Sequence, residues 1–137
     1  MKIGFIGLGN VGGKLAGSLL RNNFNLTVLD LDSKLMEKFK KKGAQISNSP
    51  KDLAKKVDLI ITCLPSPKIC AEVMESQNGI LEGIGKNKIW LEMSTTDTSE
   101  VKRLGELVVK KGAIPLDGPV SGGCHRASTG NIAIFIG

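Results

Sequence analysis

Three glycines near the start of the chain have the spacing of a turn that binds an anion. Gly7, Gly9 and Gly12 form the pattern G-x-G-x-x-G. In such a turn the first glycine permits a tight bend, the second lets a backbone pass close to a diphosphate, and the third lets a helix lie near the preceding strand. Backbone N–H groups at the helix start, with the positive end of its dipole, favour an anionic ligand. The spacing therefore predicts a dinucleotide-binding turn, and a purely structural glycine turn is the alternative.

The elements on either side of these glycines favour the first interpretation. Residues 3–6 are an apolar run typical of a buried parallel strand, and residues 10–22 have the periodicity of an amphipathic helix. A second strand is predicted at residues 26–29 and ends on Asp30, which stands eighteen residues after Gly12. That distance is close to the spacing of a carboxylate that binds the ribose hydroxyls of a dinucleotide.

Size and composition limit the class of protein. The chain has 137 residues, of which 41% are apolar and 23% charged, so we expect one globular domain over residues 1–137. No apolar run is long enough to cross a bilayer, and the N-terminus enters a strand directly instead of a basic leader. We therefore expect no membrane partner and a cytoplasmic location, or the mitochondrial matrix after removal of a leader.

The three cysteines predict neither a disulfide framework nor a metal site. Cys63, Cys70 and Cys124 are odd in number and lack C-x-x-C spacing. We expect reduced thiols in a reducing compartment.

The net charge of +6 raises the question of a nucleic-acid partner. Lysines cluster before Gly43 and Gly112, where predicted helices end, and cations there complement the negative end of the helix dipole. Aromatic residues make up only 4% of the chain, which leaves no platform on which bases could stack. We therefore expect no nucleic-acid partner.

Strand and helix patterns alternate along the chain. Helices are predicted at residues 10–22, 32–43, 49–56, 68–75 and 97–112. Strands are predicted at residues 3–6, 26–30, 45–47, 57–64, 89–93, 113–116 and 131–136, with a loop at 117–130. This alternation predicts an α/β fold, a doubly wound parallel Rossmann sheet in the order 3-2-1-4-5-6. Because only a loop joins the last two strands, the final strand is predicted to be antiparallel at the edge.

Ligands of such a sheet bind beyond the carboxyl ends of its strands. Three segments are expected to meet there: the glycine turn, Leu64-Pro65 after the fourth strand, and Ser94-Thr95 after the fifth.

Four motifs in this order resemble those of the β-hydroxyacid dehydrogenase family. They are GFIGLGNVG, LPS, LEMSTTDT and DGPVSGG, and the resemblance extends over essentially the whole chain. The family includes 3-hydroxyisobutyrate dehydrogenase, tartronate semialdehyde reductase and 6-phosphogluconate dehydrogenase. The chain is thus similar to the N-terminal, nicotinamide-cofactor-binding domain of that family.

The resemblance implies a role for each motif. The cofactor's diphosphate would lie against Leu8, Gly9, Asn10 and Val11. Asp30 would bind the adenosine ribose, and the path to the nicotinamide would be lined by Leu64, Pro65 and Thr95. The family's substrate-binding turn matches Ser121, Gly122 and Gly123.

The predicted substrate turn is chemically suited to a carboxylate, because two glycines after a serine expose successive N–H groups and a hydroxyl. The alternative is a turn that only redirects the chain. The sequence departs from many relatives at Cys124-His125-Arg126-Ala127. Arg126 is the candidate that reads the distal end of the substrate, since a guanidinium binds a carboxylate or phosphate bidentately. We interpret His125 as an ordinary loop histidine.

The resemblance also implies that the general base, a lysine with an asparagine partner, lies in a helical domain beyond Gly137. Lys68, Lys86 and Lys88 do not match that motif, and we interpret all three as solvated surface charges. We therefore expect the N-terminal domain of a longer enzyme, a homo-oligomer when complete, with no catalytic residue in this chain. Alone it would bind cofactor without turnover.

NAD is the expected cofactor, because the Asp30 carboxylate would repel the 2′-phosphate of NADP. The expected activity is hydride transfer between a small β-hydroxyacid, such as 3-hydroxyisobutyrate, and the nicotinamide. Two alternatives stay open: an NADP-linked reductase of the tartronate semialdehyde type, and a nucleotide-sensing or chromatin-type module that kept the fold without the chemistry.

Overall fold

A six-stranded parallel sheet forms the centre of the molecule in the computed structural model, which describes residues 1–94 and 97–137. The strands are β1 (Lys2–Ile6), β2 (Asn25–Leu29), β3 (Gln45–Ile46), β4 (Leu59–Thr62), β5 (Ile89–Glu92) and β6 (Ile114–Asp117). Their order is β3-β2-β1-β4-β5-β6 and every neighbouring pair is parallel. The predicted sheet order is confirmed.

Helices cover both faces of this sheet. They are α1 (Gly12–Arg21), α2 (Ser33–Lys41), α3 (Pro50–Lys56), α4 (Pro67–Glu75), α5 (Thr98–Lys110) and α6 (Gly123–Thr129), with a 3₁₀ turn at Ile80–Glu82. Short polar side chains start four of them by accepting a hydrogen bond from a first-turn N–H: Asp32, Ser49, Ser66 and Asp97. In the described part of the chain, no helix is both long and apolar enough to cross a membrane.

Two apolar clusters hold the helices to the sheet, one on each face. Trp90 and Ile60 lie under α3, α4 and α5, and Phe5 and Val28 lie under α1, α2 and α6. All four side chains are fully buried. Because both faces are covered, the strands are nearly continuous apolar runs, and this is why their positions were predictable.

The end of the chain differs from the prediction. Residues 117–130 contain β7 (Val120–Ser121) and the helix α6, which a loop prediction missed. The last strand, β8 (Ala133–Ile134), is antiparallel as expected, but it pairs with β7 in a separate two-stranded sheet. Beyond β8, the N–H of Gly137 donates to the carbonyl oxygen of Asp117 at 2.9 Å, so the end of the chain returns beside the end of β6.

Lys88 is not the solvated surface charge that the sequence suggested. Its ammonium group donates to three carbonyl oxygens at the end of α3, those of Ala54 (2.5 Å), Lys55 (2.8 Å) and Val57 (2.8 Å). Burial lowers the pKa of Lys88, and the nearby charge of Asp58 opposes that shift. The lysine therefore caps a helix C-terminus, where a cation is favoured.

Candidate functional site

An open cleft runs along the carboxyl edge of the sheet, where β1 and β4 lie side by side. Its volume is about 1110 Å³. It is lined by the predicted cofactor residues Gly7, Gly9, Asn10, Val11, Gly12, Asp30, Leu64 and Pro65, and also by Ser94. After β1 the chain runs outward through β2 to β3, and α3 then returns it to β4 on the other side of β1, so strand order reverses between β1 and β4. A doubly wound sheet binds its ligands at such a point.

Two of the three glycines are required by the fold itself. Gly7 has a φ of +100°, and a Cβ there would lie 2.1 Å from the carbonyl oxygen of Cys63. A Cβ on Gly12 would lie 2.1 Å from the carbonyl oxygen of Gly7. These contacts agree with the tight bend and the close helix predicted from the sequence.

Gly9 is different, because a Cβ there would meet no atom of the described chain within 4 Å. The backbone at Gly9 borders the cleft, and among the described residues no side chain caps the start of α1. The first N–H groups of a helix have no partner within the helix, so they can donate to an anion in the cleft.

Asp30 holds the glycine turn in place, a role that the sequence did not indicate. One carboxylate oxygen accepts from the N–H of Leu8 (2.7 Å) and the other accepts from the N–H of Asp32 (2.8 Å). Unlike its neighbours in the turn, Leu8 does not line the cleft, because its side chain is buried in the core at 2% exposure. The acid at the end of β2 thus fixes the turn that borders it.

The opposite wall of the cleft is formed by the segments after β4 and β5. The N–H of Leu64 donates to the hydroxyl oxygen of Ser94 at 2.7 Å, which joins the two segments. Thr95, the third residue predicted to line this path, lies outside the described residues. Cys63 also lines the cleft, but burial and the charge of Glu92 raise its pKa to about 11. Its thiol is therefore protonated at neutral pH and is a poor nucleophile.

A buried carboxylate lies directly beneath this wall. Glu92 is fully buried and accepts three hydrogen bonds, from the N–H of Ser94 (2.6 Å), the hydroxyl of Thr62 (2.7 Å) and the thiol of Cys70 (2.8 Å). The indole N–H of Trp90 donates to the same Thr62 hydroxyl at 3.0 Å. Burial raises the pKa of Cys70. The signal in the sequence is a single acid at the end of an otherwise apolar strand.

The predicted substrate residues lie beyond the cleft. Ser121 ends β7, and Gly122 and Gly123 follow with φ values of +125° and +70°. The side chain of Arg126 folds back over Gly122, so a Cβ on that glycine would lie 2.7 Å from Arg126 Cδ. These four residues are exposed, and Val120 is the residue of this segment that borders the cleft.

Helix α6 connects this exposed turn to the cofactor side of the molecule. Ala127 is fully buried in the same cluster as Leu15 and Ala16 of α1. The guanidinium of Arg21 donates to the carbonyl oxygen of Ser128. The predicted substrate turn is therefore fixed to the helix that starts at the glycine turn.

The model of one protein family, the NAD binding domain of 6-phosphogluconate dehydrogenase, matches residues 2–137. The chain belongs to this family. It is therefore a domain that binds a nicotinamide dinucleotide, NAD or NADP, as its glycine turn and cleft indicate.

Individual proteins give the same picture. The chain is 41% identical to the mitochondrial 3-hydroxyisobutyrate dehydrogenase of Rattus norvegicus over 98% of its length and 40% of the enzyme's. It is 31% identical to the cytokine-like nuclear factor N-PAC of Pongo abelii, over 98% of its length and 24% of that protein's. A solved structure of Mycobacterium tuberculosis 3-hydroxyisobutyrate dehydrogenase with L-serine has the same fold (TM-score 0.91, 23% identity), covering 99% of this chain and 46% of that one. The chain thus spans less than half the length of these proteins.

Proposed function

We propose that the chain is the NAD-binding domain of an oxidoreductase that transfers hydride between a small β-hydroxyacid and the nicotinamide ring. The observation that carries this proposal is the cleft, which combines an uncapped helix N-terminus, a glycine open to the cleft and an acid at the end of β2. Its 41% identity to a 3-hydroxyisobutyrate dehydrogenase supports this substrate class.

The residues of the cleft fit the parts of the dinucleotide. The diphosphate would lie against the backbone of Gly9, Asn10 and Val11, where helix N–H groups and the dipole favour negative charge. Leu64 and Pro65 would contact the nicotinamide side, which Thr95 is also expected to line. The cofactor supplies the hydride chemistry, and these residues place and orient it.

NAD is proposed over NADP because of the charge at the end of β2. The Asp30 carboxylate is held by two backbone N–H groups, so it cannot easily turn away from a ribose phosphate. A 2′-phosphate placed there would meet a like charge, whereas two ribose hydroxyls would meet an acceptor.

The substrate side is proposed to be Ser121, Gly122, Gly123 and Arg126. The two glycines and the serine offer N–H and O–H donors to a carboxylate, and the Arg126 guanidinium offers a planar pair of donors. We assign proton transfer at the hydroxyl to a residue outside positions 1–137, in a complete protein that is a homo-oligomer. The cytoplasm and the mitochondrial matrix are both suitable compartments.

The test is a panel of small acids with the full-length protein. 3-Hydroxyisobutyrate, glycerate and tartronate semialdehyde are assayed with NAD, NADP or their reduced forms, and coenzyme binding is measured by titration calorimetry. We expect turnover of at least one β-hydroxyacid, with NAD preferred. Absence of any heat with either coenzyme would overturn the proposal.

The role of Asp30 is tested by Asp30→Asn, which keeps one oxygen acceptor and removes the charge. We expect the ratio of kcat/KM for NAD over NADP to fall about tenfold, which corresponds to about 1.4 kcal/mol. Arg126→Ala is the matching test on the substrate side, and we expect it to raise the KM of the acid without changing the affinity for coenzyme.

The alternative is a module that binds a dinucleotide without turning over substrate. The similarity to the nuclear factor N-PAC and the net charge of +6 favour it. Coenzyme binding without turnover of any acid in the panel would support this alternative.

A further inference from the structure

Glu92 is the one fully buried acid in the described part of the chain, and its surroundings are specific. It pairs in register with Thr62 on the adjacent strand β4, so the two side chains lie on the same face of the sheet. Around them are Trp90 of β5 and Cys70 of α4, both buried. A carboxylate in such an apolar region costs free energy unless it is hydrogen-bonded, and here both of its oxygens accept from donors, three in all.

The hydrogen bonds of Glu92 continue to the surface of the cleft. Its Oε1 accepts from the N–H of Ser94 at 2.6 Å, and the Ser94 hydroxyl in turn accepts from the N–H of Leu64 at 2.7 Å. Ser94 is the second residue after the end of β5, and Leu64 is the second residue after the end of β4. The carboxylate therefore fixes the beginning of both segments that form this wall.

The chemistry of these bonds favours a geometric role over a purely stabilising one. A bond from a backbone N–H to a carboxylate is charge-assisted and short, and it sets the orientation of the next peptide plane. Glu92 has two groups of partners: its Oε1 accepts from Ser94, which lines the cleft, whereas its Oε2 accepts from the buried side chains of Thr62 and Cys70. Neither Thr62 nor Cys70 lines the cleft.

We propose that Glu92 is a positioning residue, which acts through Ser94 and Leu64 to place the wall that contacts the nicotinamide side of the coenzyme. This inference rests on the proposed function, since it assigns that wall to coenzyme binding. Glu92 does not touch the coenzyme, and its effect is transmitted by the two hydrogen bonds that end at Leu64.

The experiment compares four variants of the full-length protein with the unsubstituted protein. Glu92→Met keeps a side chain of similar length and removes both acceptor oxygens, including the one that binds the Ser94 N–H. Ser94→Ala removes the acceptor for the Leu64 N–H and leaves Glu92 unchanged. The double variant combines both changes. Cys70→Ala is the matched control, because it removes a Glu92 partner that does not lead to the cleft. The dissociation constant for NADH is measured by titration, and Tm is measured by thermal unfolding.

We expect Glu92→Met and Ser94→Ala each to raise the dissociation constant about tenfold. The dissociation constant of the double variant should be no higher than that of the more strongly affected single variant, because both changes break the same link. Cys70→Ala should lower Tm and change the dissociation constant less than twofold.

Other outcomes overturn the inference. A folded Glu92→Met protein with an unchanged dissociation constant, or effects that multiply in the double variant, would show that the network stabilises the fold alone. If Glu92→Met does not fold, Glu92→Leu replaces it, since leucine also removes both oxygens and fills the buried site. If the unsubstituted protein binds neither NADH nor NADPH, the proposed function itself is overturned. This result is distinct from a failure of the Glu92 inference, because it is seen without any substitution.

Discussion

The glycine turn permits a sharp test, because the structure separates glycines needed by the fold from one needed by a ligand. In Gly12→Ala the new Cβ would lie 2.1 Å from the carbonyl oxygen of Gly7, whereas real Cβ atoms essentially never approach within 3.0 Å. Both atoms belong to the backbone or are attached directly to it, so no side-chain rotation relieves the contact. The start of α1 must therefore move by roughly 1 Å, an overpacking that costs about 1–3 kcal/mol of unfolding free energy.

Two other glycines serve as controls. Gly9→Ala places a Cβ where no described atom lies within 4 Å, so the unfolding free energy should stay within about 0.5 kcal/mol of the original. Gly17→Ala lies inside α1, and its Cβ would meet only the guanidinium of Arg21, at the ordinary contact distance of 3.4 Å. It should stabilise the protein by about 0.5–1 kcal/mol, because alanine has the higher helix propensity.

Coenzyme binding distinguishes the three variants further. We expect Gly12→Ala and Gly9→Ala each to weaken NADH binding by about tenfold or more, the first by moving the helix and the second by filling the space of the diphosphate. Gly17→Ala should bind as the original does. Unfolding in denaturant and calorimetric titration measure the two quantities. A Gly12→Ala protein with original stability and affinity would refute the reasoning.

Two further predictions concern the lysine at the end of α3 and a group of ion pairs on the surface. Lys88→Met should lower the unfolding free energy by about 1–3 kcal/mol, because three carbonyl oxygens at the end of α3 lose a charged donor. Lys86→Met changes an exposed neighbour and should have little effect. Unfolding in denaturant measures both variants. Arg103 binds both Glu75 and Glu100 and holds the pKa of each carboxyl below its ordinary value of 4.5. A carboxyl group whose pKa is lower in the folded than in the unfolded protein stabilises the fold at pH values above its unfolded pKa. This stabilisation is lost as the pH falls through its folded pKa. Arg103→Ala should therefore lower Tm at neutral pH and reduce the fall of Tm below about pH 4.5. An Arg103→Ala curve parallel to the original would contradict this.

Much of the fold could be predicted because its signals are local. The apolar strands are buried on both faces, and turns and helix starts carry their own residues, such as Ser49 with Pro50. Helix α6 was missed for the opposite reason. It is seven residues long, lies between Gly122 and Gly130, and buries only Ala127, so it has almost no periodic signal.

The candidate site was predicted only in part, because its motifs are local whereas its supports are distant in sequence. Gly7 and Gly12 have the geometry that the spacing predicts. The role of Asp30 in holding the glycine turn was not predicted, because its carboxylate accepts a hydrogen bond from the N–H of Leu8, 22 positions earlier in the chain. The lysine that caps α3 likewise lies 31 positions after Val57, and its identity alone suggested a solvated charge.

The amino-acid sequence by itself determined the alternation of strands and helices and the glycine turn. These follow from side-chain periodicity, from turn chemistry and from the absence of a Cβ, which act over a few residues. The alternation in turn predicted the strand order of a doubly wound sheet, and the resemblance of four motifs indicated the family. The tertiary structure decided which polar groups meet. Glu92 binds Thr62 and Cys70 from 30 and 22 positions away, and this pairing depends on the register of β4 with β5 and on the packing of α4. Burial makes that pairing necessary, since a carboxylate in the core must find donors wherever the fold brings them.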